Sequence, residues 1–120
     1  MSLQLATKIA SAIPVIKGRQ RICAIACDKR GRVLSVGVNS YQKSHPIMKH
    51  YAVKIGNPEA QYVHAEVAAL LSLSYNDKQK AHKGFVSRVL KDGSTGLAAP
   101  CSICQLMLKD YGIKEVSYTI

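Results

Sequence analysis

The chain has 120 residues, of which 48% are apolar, and it carries a formal net charge of +10 at pH 7. This size and composition fit one globular domain over residues 1–120 and exclude a disordered or fibrous protein. No apolar run is long enough to span a membrane. Four cysteines in a chain without a secretory pattern indicate metal-binding or core roles in a reducing, cytoplasmic compartment.

The hydrophobic pattern predicts alternating helices and strands on both sides of one long irregular segment, at about 39–62. The predicted elements, in chain order, are a helix at about 3–13, strands at about 21–27 and 32–38, a helix at about 64–75, a strand at about 84–90, a helix at about 101–111 and a strand at about 114–119. A hairpin followed by strand–helix alternation is typical of an α/β protein whose mixed sheet has helices on its faces.

Two cysteines lie on the first predicted strand. Cys23 and Cys27 are four residues apart and therefore point to the same face of that strand. Buried cysteine behaves as a small apolar side chain, which favours core packing over a second metal or redox site.

The segments His64-Ala65-Glu66 and Pro100-Cys101-Ser102-Ile103-Cys104 together hold three zinc-type ligands and one carboxylate. Three protein ligands leave the fourth tetrahedral position open, as in catalytic zinc sites. Zinc lowers the pKa of water at such a position, and a nearby carboxylate can then move protons. The pattern predicts an enzyme with Zn²⁺ at His64, Cys101 and Cys104 and with Glu66 as its acid–base group.

Each half of this motif has other interpretations. A Cys-x-x-Cys pair also fits a redox pair, half of a structural zinc site or two core cysteines. A thioredoxin-like pair would follow the first strand of a βαβ unit, whereas this pair lies near the C-terminus. A closed structural site needs a fourth ligand at short spacing, and none of the remaining candidates has that spacing: Cys23, Cys27, His45, His50 and His82.

Helix geometry sets a condition on the motif. Residues two apart on an α-helix point about 200° away from each other, so His64 and Glu66 converge only if His64 lies at a helix start. Cys101 and Cys104, three apart, share one helix face. Pro100 suits a helix start, where its missing N–H costs nothing. Both ligand pairs are therefore expected at helix N-termini.

The chain resembles the cytidine/deoxycytidylate deaminase superfamily, closest to small dCMP-deaminase-like proteins, from about Arg21 onward. The matching segments are Gly37-Val38-Asn39, His64-Ala65-Glu66, and Pro100 to Cys104 running into Gly112-Ile113. The resemblance implies a three-layer α-β-α fold with a mixed sheet of four or five strands. Family sheets carry a further helix and strand after the fourth, and this sequence ends there. We therefore expect an open or partner-covered edge and a homo-oligomer.

The resemblance also implies a mechanism. Glu66 would take a proton from the zinc-activated water, protonate the ring nitrogen beside the amino-bearing carbon, and pass a proton to the departing ammonia. The Ala65 N–H and the Ala99 carbonyl would contact the base edge, and Asn39 the sugar or base. Taken alone, Asn39 equally fits a turn residue at a strand end. Weaker candidates for stacking or phosphate contacts are His45, His50, Tyr51 and Tyr62.

The substrate is harder to predict. Residues 1–58 hold ten Lys/Arg against Asp28, a balance of +9, whereas residues 59–120 hold seven against six, a balance of +1. The excess lies in the link at 17–21, in the turn at 29–32 and in the long segment. Such a surface attracts the phosphate of a nucleotide or of a polynucleotide, or it merely aids solubility.

The leading hypothesis is deamination of a small cytosine nucleotide such as dCMP. The alternative is an editor of cytosine, or less readily adenine, in single-stranded DNA or RNA. Other hypotheses are a nucleoside, free-base or modified-base deaminase, and a zinc-stabilised binding protein. Ala99 stands where tRNA adenosine editors typically have Glu and polynucleotide cytidine editors have Ser. Leu97 stands where dCMP deaminases often have Thr.

Overall fold

The computed structural model describes residues 2–41, 45–54 and 63–120. Its elements, in chain order, are α1 Ser2–Ser11, β1 Arg21–Asp28, β2 Val33–Val38, α2 Pro46–Lys54, α3 Ala65–Leu71, α4 Tyr75–Lys80, β3 Ala81–Val89, β4 Thr95–Gly96, α5 Ser102–Asp110 and β5 Glu115–Tyr118. Within the described residues, no helix is long and apolar enough to cross a membrane.

The sheet is mixed and has five strands. β1 lies between β2 and β3 and is antiparallel to both. β5 runs parallel to β3, and the two-residue β4 pairs with the C-terminal end of β3. This confirms the predicted mixed sheet. The fifth strand is β4, which the hydrophobic pattern did not predict.

Successive side chains of β1 point to opposite faces of the sheet, so they belong to two separate parts of the core. Cys23, Ile25 and Cys27 pack in one cluster with Ala6 and Ala10 of α1. The intervening Ala24 and Ala26 pack in clusters with residues of α3 and α5 on the opposite side. The sheet therefore lies between two helical layers, which confirms the three-layer α-β-α prediction and places both β1 cysteines in the core.

The prediction that 39–62 is irregular is wrong for its middle. Pro46 opens α2, because proline at a first helical position loses no hydrogen bond. His45 Nδ1 accepts a hydrogen bond from the Ile47 N–H at 3.1 Å, beside the helix start. The rest of that segment includes 42–44 and 55–62, which lie outside the described residues.

Three predicted boundaries also differ. The helix predicted to reach 75 ends at Leu71, because Ser74 starts a new helix by accepting a hydrogen bond from the Asp77 N–H at 3.1 Å. The strand expected at 84 begins at Ala81, and α1 ends at Ser11 rather than near 13.

The expectation that the basic link at 17–21 belongs to the charged surface is wrong for Arg21. Its side chain is buried, and its guanidinium donates to the carbonyls of Ser11 at 3.0 Å, Ile13 at 3.2 Å and Leu90. These bonds fasten the end of α1 to the start of β1 and the end of β3. Arg21 is therefore a structural residue and adds nothing to the surface that could attract a phosphate.

Candidate active site

The predicted zinc ligands lie at two helix starts. His64 immediately precedes α3 with φ −76° and ψ 160°, and Cys101 immediately precedes α5 with φ −72° and ψ 173°. Cys104 follows in the first turn of α5. Because an extended residue before a helix directs its side chain away from the helix axis, His64 can face the same point as the α5 cysteines, as the spacing requires. Pro100 lies one residue before Cys101 and therefore outside the helix.

The ligand atoms converge. His64 Nδ1 lies 3.3 Å from Cys104 Sγ and 3.4 Å from Cys101 Sγ, and all three atoms lie within 4.8 Å of one another. Zinc bonds of 2.0–2.1 Å to nitrogen and about 2.3 Å to sulfur, set at tetrahedral angles, place nitrogen and sulfur about 3.5 Å apart. One imidazole and two thiols at this spacing fit Zn²⁺.

The two thiols shift each other's pKa in opposite directions. The hydrogen bond with Cys104 is the main cause that lowers the pKa of Cys101 to about 4, and the same bond raises the pKa of Cys104. The hydrogen bond with Cys101 raises the pKa of His64. A lowered pKa favours the thiolate form of Cys101, which is the form that binds a metal.

Glu66 lies in the first turn of α3 with only 7% of its surface exposed. Burial raises the pKa of its carboxyl group above the ordinary value of 4.5. A raised pKa favours a group that both accepts and returns a proton near neutral pH.

A close contact between α3 and β2 positions His64 and Glu66. A Cβ atom at Gly37 would lie within 3.0 Å of backbone atoms of Ala65, Ala68 and Ala69, so only glycine fits there. Ser35 Oγ donates to the Ala69 carbonyl at 2.6 Å on the same contact. The start of α3 is therefore held directly against the sheet.

A cleft of about 330 Å³ opens beside the ligand cluster. Six of the seven predicted site residues line it: Asn39, His64, Ala65, Glu66, Ala99 and Cys101. Cys104 has no exposed surface and lies behind them. The volume lies within the range of small-molecule sites.

The Asn39 side chain is already engaged. Its Oδ1 accepts from the Ile22 N–H at 3.1 Å, and its Nδ2 donates to the Gln20 carbonyl at 3.0 Å. These bonds give Asn39 the strand-end role that the sequence left open. Its predicted contact with a substrate stays a prediction, since the residue also borders the cleft.

The weaker candidates lie elsewhere. Tyr51 is buried and donates to Asp110 Oδ2 at 2.9 Å, which joins α2 to α5. His50 packs edge-on against Tyr51 with ring centroids 5.3 Å apart. Among the described candidates, none of His45, His50 and Tyr51 lines the cleft. Tyr62 lies outside the described residues.

The sequence did not single out Tyr41 at the mouth of the cleft. Its Oη accepts from the Gln20 N–H at 2.8 Å, and the Arg19 guanidinium lies over its ring, 5.4 Å from the centroid. Tyr41 follows Asn39 by two residues, so the strand-end motif could have drawn attention to it. It was missed because its place beside the cleft depends on contacts with Arg19 and Gln20, which the sequence does not show.

Comparison with known families matches residues 2–120 to the cytidine and deoxycytidylate deaminase zinc-binding region. The chain therefore belongs to this family of zinc-binding deaminase domains, and Zn²⁺ is its cofactor. The resemblance seen in the sequence is confirmed.

The fold agrees with solved cytidine deaminases. The enzyme from Mycobacterium tuberculosis is 20% identical with a TM-score of 0.54, over 96% of this chain and 78% of that one. The enzyme from Burkholderia pseudomallei is 17% identical with a TM-score of 0.57, over 92% and 73%. At these identities the likeness concerns the fold. Comparison with curated proteins gave no match.

Proposed function

We propose that the chain is a zinc-dependent hydrolytic deaminase that converts a cytosine nucleotide, of the dCMP type, to the uracil nucleotide and ammonia. The observation that carries the proposal is the convergence of His64, Cys101 and Cys104 beside a buried carboxyl group on the floor of a cleft. In this proposal the three residues hold Zn²⁺, and Glu66 transfers the protons.

Zinc, when bound, supplies a Lewis acid that makes hydroxide available near neutral pH. Glu66 accepts a proton as water adds to the amino-bearing carbon of the ring, and delivers it to the neighbouring ring nitrogen. It then delivers the second water proton to the leaving amine. The carbon–nitrogen bond breaks, a carbonyl remains, and ammonia leaves, so atoms and charge balance.

Two backbone groups would orient the base. The Ala65 N–H is in the first turn of α3, where helix N–H groups have no partner within the helix. Ala99 lines the cleft in the segment before Cys101, and its carbonyl would be the acceptor. A donor and an acceptor at these positions suit a base edge that offers both, and Asn39 would meet the sugar.

A small nucleotide is favoured over a polynucleotide by where the positive charge lies. The cations of the β1–β2 turn, such as Lys29 and Arg30, lie at the far end of β1 from Ile22 of the cleft, roughly 20 Å away at the rise of a strand. Arg21 is buried. The turn cations and Arg21 therefore do not provide a track of positive charge that leads to the site. The observation that favours the editing alternative is the net charge of +9 carried by residues 1–58.

Two further statements belong to the proposal. A cytoplasmic location is supported by the exposed thiol of Cys101, since thiols are kept reduced in that compartment. A homo-oligomer is supported by an apolar depression next to β5, lined in part by Leu108, Ile113, Val116 and Tyr118. Light scattering of the zinc-loaded protein measures the assembly directly.

The proposed reaction is tested by ammonia release from a panel of amines. The panel contains cytosine, deoxycytidine, CMP, dCMP, adenosine, and single-stranded DNA and RNA oligomers, each with the zinc-loaded protein and its Glu66→Gln variant. We expect Glu66-dependent turnover of dCMP or CMP and none of the oligomers. Turnover confined to the oligomers would establish the editing alternative, and silence on every cytosine compound would refute the proposed function.

A further inference from the structure

The cleft continues into a second depression of about 220 Å³. The two share Gln20, Asn39, Ser40 and Tyr41 and therefore adjoin each other. The outer depression is bordered by the link between α1 and β1, including Pro14 and Ile16, and by Arg19. We call these two adjoining depressions the groove: His64 and Cys101 line its inner part, and Arg19 lines its outer part.

Local structure fixes the position of Arg19. Its N–H donates to the Ile16 carbonyl at 3.0 Å in a turn that contains Gly18, whose φ is +77°. Its guanidinium lies over the Tyr41 ring, 5.4 Å from the centroid. The phenol oxygen is itself anchored by the Gln20 N–H at 2.8 Å. A guanidinium near an aromatic ring keeps its N–H groups available to an anion, and its planar set of donors matches a phosphate.

The groove has the electrostatics of an anion site. Among the described residues that line its two parts, the one carboxyl group is Glu66, at the zinc end. Within the described part of the chain, Arg19 makes no ion pair. Its charge is therefore not neutralised by the protein, and it lies on the side of the groove away from the reacting base.

We infer that Arg19, held on the Tyr41 ring, binds the substrate phosphate and makes the enzyme select a nucleotide over a nucleoside. The inference rests on the proposed function for the position of the base. Tyr41 is a positioning residue, because it acts by holding the guanidinium. The cations of the β1–β2 turn, Lys29, Arg30 and Arg32, take no part, although they carry more formal charge than Arg19.

The test measures binding in the Glu66→Gln background, so that it does not depend on turnover. Calorimetry gives Kd for dCMP and for deoxycytidine with the zinc-loaded protein. Arg19→Ala should weaken dCMP binding about 10- to 100-fold, the range of charge-assisted hydrogen bonds, and leave deoxycytidine within about twofold. Arg30→Ala removes an equal charge at the far end of β1 and is the matched control, expected to change neither Kd by more than about twofold.

Two Tyr41 variants distinguish a residue that positions the Arg19 guanidinium from a residue that only stabilises the fold. Tyr41→Phe keeps the ring and should retain most of the preference for dCMP, whereas Tyr41→Leu should lose it with deoxycytidine binding retained. A purely structural role would weaken both ligands together and leave their ratio unchanged.

Several results would overturn the inference: equal weakening of both ligands by Arg19→Ala, no effect of Arg19→Ala, an Arg30→Ala effect of the same size, or no binding of dCMP. An effect of Arg19→Ala seen only with single-stranded DNA oligomers would also overturn it and would point to a polynucleotide track. If the protein binds dCMP through Arg19 but releases no ammonia from any cytosine compound, the phosphate site stands and the proposed function fails.

Discussion

The chain holds two cysteine pairs at nearly the same sequence spacing, in opposite surroundings. Cys23 and Cys27 lie on β1 beneath α1 with no exposed surface, and burial raises the pKa of Cys23 to about 11. Cys101 and Cys104 lie at the start of α5 and meet the His64 imidazole. A spacing of four on a strand turns both side chains into one apolar layer, whereas a spacing of three at a helix start gathers them around one point. The backbone, more than the residue type, decides which pair can bind a metal.

The largest expected effect comes from the carboxyl group beside the α5 pair. Glu66→Gln should lower turnover by about 10²- to 10⁴-fold, because general acid–base catalysis contributes that much, while zinc content and unfolding midpoint stay near wild type. Ammonia release, elemental analysis and urea unfolding measure the three quantities. Glu115→Gln, an exposed carboxyl group on β5, is the control. Wild-type turnover in Glu66→Gln would remove Glu66 from the mechanism.

Parallel serine substitutions test the cysteine comparison itself. Cys101→Ser should lose zinc and stability together, because the free energy of metal binding is partly free energy of folding. Cys23→Ser should keep one zinc per chain and lose about 1–3 kcal/mol, the cost of a hydroxyl in an apolar layer. Zinc per chain and urea midpoints decide between them. Full zinc content in Cys101→Ser, or zinc loss in Cys23→Ser, would reverse the assignments.

Alanine substitutions at two glycines of the sheet, Gly37 and Gly84, test whether the contact between β2 and α3 positions the site. Gly37→Ala should destabilise the protein by about 1–3 kcal/mol or more, because the new methyl group would collide with the backbone of α3. At Gly84, the nearest atom to an added Cβ is 3.4 Å away, an ordinary contact, so Gly84→Ala serves as the control with a change below about 1 kcal/mol. Denaturant unfolding and zinc affinity report both effects. Equal stability of the two variants would show that α3 does not depend on this contact.

The smallest expected effect is remote from the site. At the far end of β1, hydrogen bonds led by the Arg32 N–H lower the pKa of Asp28 below its ordinary value of 3.8. A depressed pKa gives stability that is present above the ordinary value and is lost as the pH falls through the depressed one. Asp28→Asn should therefore unfold at lower urea than wild type at pH 7, and the difference should shrink below about pH 4. Activity should not change. A difference that persists into acid would mean that the carboxylate charge is not the cause.

Short spacing made the ligand cluster predictable, and long-range contacts explain what was missed. His64 could be placed at a helix start because residues two apart converge only there, and Cys101 could be placed at one because it follows Pro100. α2 was missed because His45-Pro46 was interpreted as a break rather than as a helix start. β4 has two residues, and its pairing with β3 defines it.

The distribution of charge on the surface was also mispredicted, because it too depends on packing between elements. In the sequence, Arg21 looks like one more cation of a basic link. In the structure it is buried, and its guanidinium donates hydrogen bonds to the carbonyls of Ser11, Ile13 and Leu90. Nothing in the sequence distinguishes it from the exposed Arg19, because the packing of α1 and of the end of β3 against the start of β1 is what brings these carbonyls together. The same applies to Gly37, whose role depends on α3, which begins 28 residues later. The roles of Asn39, Ala65 and Ala99 toward a substrate, and the single domain over 1–120, stay predictions.

The most direct test of the central claim is a zinc titration of activity. The wild-type protein is stripped with a chelator and returned stepwise to Zn²⁺, and ammonia release from dCMP is measured at each step beside Glu66→Gln. We predict no activity without metal, a linear rise that stops at one zinc per chain, and no comparable rise in the variant. Activity that survives metal removal, or a full complement of zinc with no turnover of any cytosine compound, would contradict the account.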